Sequence, residues 1–172
     1  MLSVAAFLEG RHAQAFPSFG SERMGAPVMA FCRIDDKEIR LREPVLHPDA
    51  VIIQDPTLLH QVDLFSGLRS KGHVLINSTR SFDELGLTGL AGGSRGLVLY
   101  SLPATELALK HVGRPLPNAA LLGGFAAVTG LITLASVLAA IAQKFPAAIA
   151  QKNAAAATEA FELARPREAL HA

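Results

Sequence analysis

The sequence predicts an α/β domain with a mainly parallel sheet, flanking helices and a helical C-terminal third. Two short β-branched runs, 51–54 and 74–77, are apolar on both faces, as strands covered by helices on each side are. The stretch between them, 56–68, reads as short helical turns that stop near Lys71 and Gly72, which is a βαβ crossover. Of the 29 alanines, 19 follow Pro117, in the third that reads as helical. The 172 residues suit one domain, expected over 1–164 with a loose tail at 165–172. A core of this size buries roughly 68–70% of the unfolded surface.

Taken in order, 3–9 is a helix that ends at Gly10. Residues 13–27 carry Pro, Gly and Ser at turn-like intervals, with neither a helical nor an alternating period, and read as an irregular loop. Residues 28–34 form a strand, and Asp35 with Asp36 form a hairpin-type turn. The alternation of charged and apolar residues over 38–41 predicts a half-exposed partner strand. Strands follow at 51–54, 74–77 and 97–101. Gly89, Gly92, Gly93 and Gly96 precede a strand rather than a helix, so the cluster reads as a turn and not a phosphate loop. Helices are expected at 118–129, 134–144 and 146–163, the last opened by a proline, which suits a first helical position. Gly130 stops the first of these and Thr133 is placed to cap the second.

That break also bears on the membrane question. Residues 115–143 carry no charge, and about 20 apolar residues would cross a bilayer. With Gly130 and Thr133 in the middle, two buried helices fit better than one span. The N-terminal apolar run has no basic residue ahead of it and no cleavage spacing behind it, so no signal peptide is expected.

The chemistry is sparse. Sixteen basic against 15 acidic residues leave a formal charge of +1, without the basic stripe that nucleic-acid binding needs. The single Cys32 allows no internal disulfide, and an iron–sulfur cluster usually takes about four thiolates. A reducing cytoplasm is the expected location, and Cys32 reads as a small buried hydrophobe. His12, His47, His60, His73, His111 and His171 lack ligand spacing and read as surface or capping residues. No GxSxG, HExxH, CxxC or P-loop is present, so the residues assemble no complete active site.

What stands out is the segment from Gln14 to Pro27. It offers two rigid aromatics (Phe16 and Phe19), two prolines that stiffen it (Pro17 and Pro27), and one charge pair, Glu22 with Arg23. Gly20 and Gly25 permit close backbone approach, and Gln14 and Ser18 are its polar members. A loop this apolar is costly to leave in water, which points to a partner interface anchored by Phe16, Phe19 and Arg23. Composition alone leaves open the alternative that the aromatics fill this domain's own core.

The string Ala13-Gln14-Ala15-Phe16-Pro17-Ser18-Phe19-Gly20-Ser21-Glu22-Arg23-Met24-Gly25-Ala26-Pro27 resembles the signature of the gamma subunit of 2-oxoacid:ferredoxin oxidoreductases, the pyruvate synthase type above all. The resemblance continues through Pro48-Asp49-Ala50-Val51-Ile52-Ile53-Gln54-Asp55-Pro56-Thr57-Leu58 and returns at Asn118-Ala119-Ala120-Leu121-Leu122-Gly123-Gly124-Phe125 and Lys144-Phe145-Pro146. It runs from Leu2 to about 163 in the family's order. One departure is plain. Members usually open with a strand and a GxGGxG turn before the first helix, whereas this sequence starts almost at that helix. A late-assigned start or a shortened chain is therefore expected, with an exposed sheet edge.

The resemblance implies a Rossmann-like gamma domain in a complex that oxidatively decarboxylates a 2-oxoacid such as pyruvate to an acyl-coenzyme A. Electrons pass to ferredoxin or another acceptor through the complex. It implies alpha, beta and in some members delta partners, which hold thiamine diphosphate, magnesium and the iron–sulfur clusters. This chain would hold no cofactor alone, would support the assembly, and would line the approach of coenzyme A. The alternatives are a free-standing Rossmann-like nucleotide binder, against which the missing glycine turn counts, and a small membrane protein anchored through 115–143.

Overall fold

A computed structural model describes residues 1–18, 27–91 and 96–165. Helix α1 (Leu2–Leu8) is followed by strands β1 (His12–Ser18) and β2 (Met29–Asp35), which pair antiparallel with His12 opposite Asp35 and Ser18 opposite Met29. Strands β3 (Ala50–Ile53), β4 (His73–Asn77) and β5 (Val98–Leu102) form a parallel sheet in the order β3-β4-β5. A 3-10 turn at Pro56–His60 and the short helix α2 (Thr88–Ala91) lie in the crossovers. Helices α3 (Ala104–Val112), α4 (Asn118–Thr129), α5 (Leu134–Lys144) and α6 (Ala147–Ala164) complete the chain.

The β-branched runs form strands because each face of the sheet has its own apolar cover. Leu75 and Leu102 face a core shared with α1, α4, α5 and α6, including Ala5, Ala6, Leu121, Phe125, Val137 and Ile141. Val74 and Ile76 face the opposite side, against Ile53, Leu68 and Leu85. The uncharged run 115–143 resolves into α4 and α5. Gly130 closes α4 at φ +62°, a left-handed conformation that glycine adopts without a Cβ penalty. The Thr133 hydroxyl then accepts from the Ser136 amide at 3.2 Å and opens α5. No helix among the described residues is long and apolar enough to cross a membrane.

Close helix packing follows from the small residues. A Cβ placed on Gly123 would sit 2.0 Å from the Ala157 carbonyl oxygen, so α4 and α6 touch backbone to backbone. The junction of α1 with α5 is polar. The Glu9 carboxylate accepts from the Thr133 amide at 2.7 Å and the Thr133 hydroxyl at 2.8 Å. Burial pushes the Glu9 carboxyl up, but the nearby Ser136 hydroxyl, both Thr133 donors and the Arg11 charge outweigh it and hold it below its ordinary value.

Two expectations are corrected, and one helix is added. The stretch from 13, read as irregular, begins with a strand, because His12–Ser18 finds an antiparallel partner in β2. Pro17 is tolerated there since both strands of a two-stranded sheet are edges. Residues 38–41 are not in a sheet, so Asp35 and Asp36 close no hairpin toward them. Asp35 instead caps the turn by accepting from the Lys37 amide at 3.0 Å, and Asp36 pairs with Arg11 at 2.8 Å. Helix α3, closed by Gly113 at φ +78°, was not anticipated.

Candidate functional site

Two features stand out: the outer face of the β1–β2 hairpin and a cleft at the carboxyl ends of the parallel strands. The hairpin's two faces differ because side chains alternate along a strand. Ala13 and Ile34 are opposite each other and pack onto the main core. By alternation Gln14, Phe16 and Ser18 point to the other side, together with Met29, Phe31 and Arg33 of β2.

Phe16 and Phe31 are opposite one another with ring centroids 5.6 Å apart at 47°, and neither belongs to a core cluster. Met29 beside them is 55% exposed, and Val28 at the mouth of the strand is 66% exposed. The carboxamide oxygen of Gln14 is buried without a hydrogen-bond partner among the described residues. Pro17 is exposed, and Ser18 and Pro27 are half-buried at the ends of the strands. Phe19, Gly20, Glu22, Arg23 and Gly25, also expected in the interface, lie outside the described residues. Cys32, expected to be buried, is half-buried on the side of the hairpin that carries Ala13 and Ile34, and burial pushes its thiol up and away from reactivity.

The cleft was not anticipated. It holds about 770 Å³ between the ends of β4 and β5, the 3-10 turn and the start of α3. Asn77 braces it: the carboxamide nitrogen donates to the Gln54 carbonyl and the Thr105 hydroxyl, both at 2.8 Å, and the oxygen accepts from the Thr105 amide at 3.0 Å. The Ser101 hydroxyl lies 2.8 and 2.9 Å from the carbonyls of Ser78 and Arg80 and shapes the loop after β4.

Charge at the rim is held by local hydrogen bonds. Glu84 accepts from the Ser81 amide at 2.8 Å and hydroxyl at 2.9 Å, and these bonds hold its carboxyl below the ordinary value. The Thr57 hydroxyl and amide do the same for Asp55. Arg80 is the single Lys or Arg among the described lining residues, against Asp83, Glu84 and Glu106. Among the described residues no group of three or more His, Cys, Asp or Glu could hold a metal ion. A polar Asn-Ser-Thr-Arg-Ser run directly after a central strand was the available signal, since α/β sheets bind ligands at their carboxyl edge.

Against known proteins, the model of the pyruvate ferredoxin/flavodoxin oxidoreductase family matches residues 1–163. The chain is 46% identical over 162 residues to the pyruvate/ketoisovalerate oxidoreductases common subunit gamma of Pyrococcus abyssi, covering 94% of this chain and 86% of that one. Among solved structures it matches the pyruvate oxidoreductase subunit PORC of Thermotoga maritima with a TM-score of 0.77 and 33% identity, over 94% of this chain and 84% of that one. Its fold also matches part of the 2-oxoglutarate:ferredoxin oxidoreductase of Magnetococcus marinus, a structure with 2-oxoglutarate, coenzyme A and succinyl-CoA bound. There the TM-score is 0.67 at 14% identity, over 95% of this chain and 27% of that one.

Proposed function

The chain belongs to the pyruvate ferredoxin/flavodoxin oxidoreductase family, and we propose that it works there as a gamma subunit that supports the active site without carrying it. The complex oxidatively decarboxylates a 2-oxoacid such as pyruvate to its acyl-coenzyme A, with ferredoxin as electron acceptor. This chain's residues fit neither of the family's resident cofactors. It has one thiol where a cluster takes about four, and no Gly-Asp-Gly thiamine motif. Thiamine diphosphate, magnesium and the clusters belong on this reading to alpha, beta and delta partners, in the cytoplasm. Residues 1–164 act as one gamma-type domain.

The observation that carries the subunit role is the outer hairpin face. An isolated two-stranded hairpin is marginal in water, and among the described residues this one is anchored to the core through Ala13 and Ile34 of its inner face. Its outer face carries the half-buried pair Phe16 and Phe31 and the exposed Met29, along with a buried Gln14 oxygen that lacks a donor among the described residues. A partner surface would cover the rings and supply that donor. Phe19 and Arg23 extend the same segment as further anchors.

The test uses a tagged chain expressed in its native host. Phe16→Ala and Arg23→Ala should each reduce retention of the larger subunits and turnover of the recovered complex while the variant chain keeps its helical signal. Unchanged retention and turnover with both variants would refute the interface.

The reading that this chain lines the approach of coenzyme A is supported by the cleft. The carboxyl edge of a parallel sheet is where α/β folds bind such ligands, and Arg80 is the side chain at the rim that can meet a phosphate. Arg80→Ala should raise KM for coenzyme A and leave KM for the 2-oxoacid unchanged. Equal effects on both, or none, would remove the cleft from the reaction.

A further inference from the structure

We propose that Asn77 is a positioning residue for the reaction of the complex, an inference that rests on the reading of the cleft as the approach of coenzyme A. Asn77 is the last residue of β4 and ties three elements together. The ladder between β3 and β4 ends with Ile53 opposite Ile76. Beyond it the Asn77 carboxamide nitrogen donates to the Gln54 carbonyl at 2.8 Å, which continues the pairing by one side-chain rung. On its other side the carboxamide oxygen accepts from the Thr105 amide at 3.0 Å. Helix α3 starts behind Pro103, which brings no side-chain cap, so Asn77 supplies from the sheet an acceptor that the helix start needs.

The place asks for a carboxamide. The Thr105 amide can only donate and the Gln54 carbonyl can only accept, so the group between them must offer an acceptor and a donor at once. Asparagine does this in a single orientation. A carboxylate of the same shape keeps the bond to Thr105 but turns an oxygen toward the Gln54 carbonyl, where two acceptors repel.

These two bonds set the spacing of the cleft walls. Gln54 leads through Asp55 into the turn that carries Pro56, Thr57 and His60 on one wall, and Thr105 and Glu106 belong to the other. The loop that carries Arg80 is held separately. The Ser101 hydroxyl lies 2.8 and 2.9 Å from the carbonyls of Ser78 and Arg80, and the Ser78 amide donates to the Leu102 carbonyl at 2.9 Å. Loss of the Gln54 bond therefore moves the turn wall against an Arg80 that stays in place. Misplacing a bound reactant by about 1 Å can cost about a hundredfold in rate.

Steady-state kinetics of the native complex, recovered through a tag on this chain, test this with Asn77→Asp. The variant keeps the α3 cap, so the complex should assemble. KM for coenzyme A should rise at least about fivefold while KM for the 2-oxoacid stays unchanged. Thr105→Val keeps the amide bond and removes only the hydroxyl that the carboxamide nitrogen also meets. It should raise KM for coenzyme A by about twofold, which keeps the test decisive if Asn77→Asp does not assemble. Thr133→Ala weakens the fold at the α5 cap, away from the cleft lining, and should move neither KM. An unchanged KM for coenzyme A in the cleft variants, equal rises for both substrates, or the same rise in Thr133→Ala overturns the positioning role. Where Arg80→Ala raises KM for coenzyme A and the Asn77 and Thr105 variants do not, this inference fails and the cleft stands. Where none of the three raises it, the reading of the cleft fails and this inference with it.

Discussion

Gly123→Ala puts the packing account at risk through one methyl group. The new Cβ would lie 2.0 Å from the Ala157 carbonyl oxygen, 2.7 Å from its carbon and 2.9 Å from its Cα. Backbone cannot swing aside as a side-chain tip can, so α4 and α6 must part by at least 1.0 Å to restore a 3.0 Å contact. A gap of about 0.5–1 Å forfeits a quarter to a half of each dispersion contact across it. Overpacking typically costs about 1–3 kcal/mol, and the upper end applies where the obstacle is main chain. Alanine regains about 1 kcal/mol over glycine inside a helix. The net loss is about 2 kcal/mol, which for a chain of this length lowers Tm by about 4–8 °C. Urea unfolding followed by circular dichroism measures it. Gly89→Ala, with nothing within 4 Å of its Cβ, is the control and should be neutral or slightly stabilising. A Gly123→Ala chain as stable as the parent would refute backbone contact between α4 and α6.

Glu9 sets a dependence on acid. Its carboxyl is held below the ordinary value, so its contribution to the α1–α5 junction is complete above about pH 4.3 and is lost as pH falls through the depressed value. Glu9→Gln should cost about 1 kcal/mol at neutral pH and flatten the acid limb of a stability-against-pH curve, and an unchanged limb would contradict this. Thr133→Ala removes the α5 cap and the hydroxyl that donates to Glu9, with an expected loss of about 1–2 kcal/mol in urea unfolding. Metal analysis and cofactor extraction of the chain purified alone should find neither iron nor thiamine diphosphate; stoichiometric amounts of either would be incompatible with the assignment of both to partner subunits.

Helices α4 and α5 were legible to the residue because their boundary is chemical. Gly130 takes a left-handed turn and Thr133 caps, and both signals are local. Strands β3, β4 and β5 were legible to within a residue from apolar runs with two buried faces. Strand β1 was not, since Pro17 argues against a strand until an antiparallel partner makes it an edge. Residues 38–41 misled in the opposite direction: alternation reports a surface able to pair, not whether this chain supplies the pair. Helix α3 is only nine residues long, and its Pro103 start and Gly113 stop went unused. Of the candidate site, the aromatic segment was visible as composition, but the split into inner and outer faces needed the register. Of the cleft, only the polar run after β4 was legible, because Thr57, Asn77 and Thr105 come together only through the crossovers.

Purification through a tag on this chain from its native host, followed by native mass spectrometry, decides whether it is a subunit at all. The expected result is one assembly in which this chain is stoichiometric with larger partners, iron and thiamine diphosphate are present in those partners, and a 2-oxoacid is oxidised only when coenzyme A is supplied. A chain that runs alone, binds a nucleotide and turns over no 2-oxoacid would contradict it.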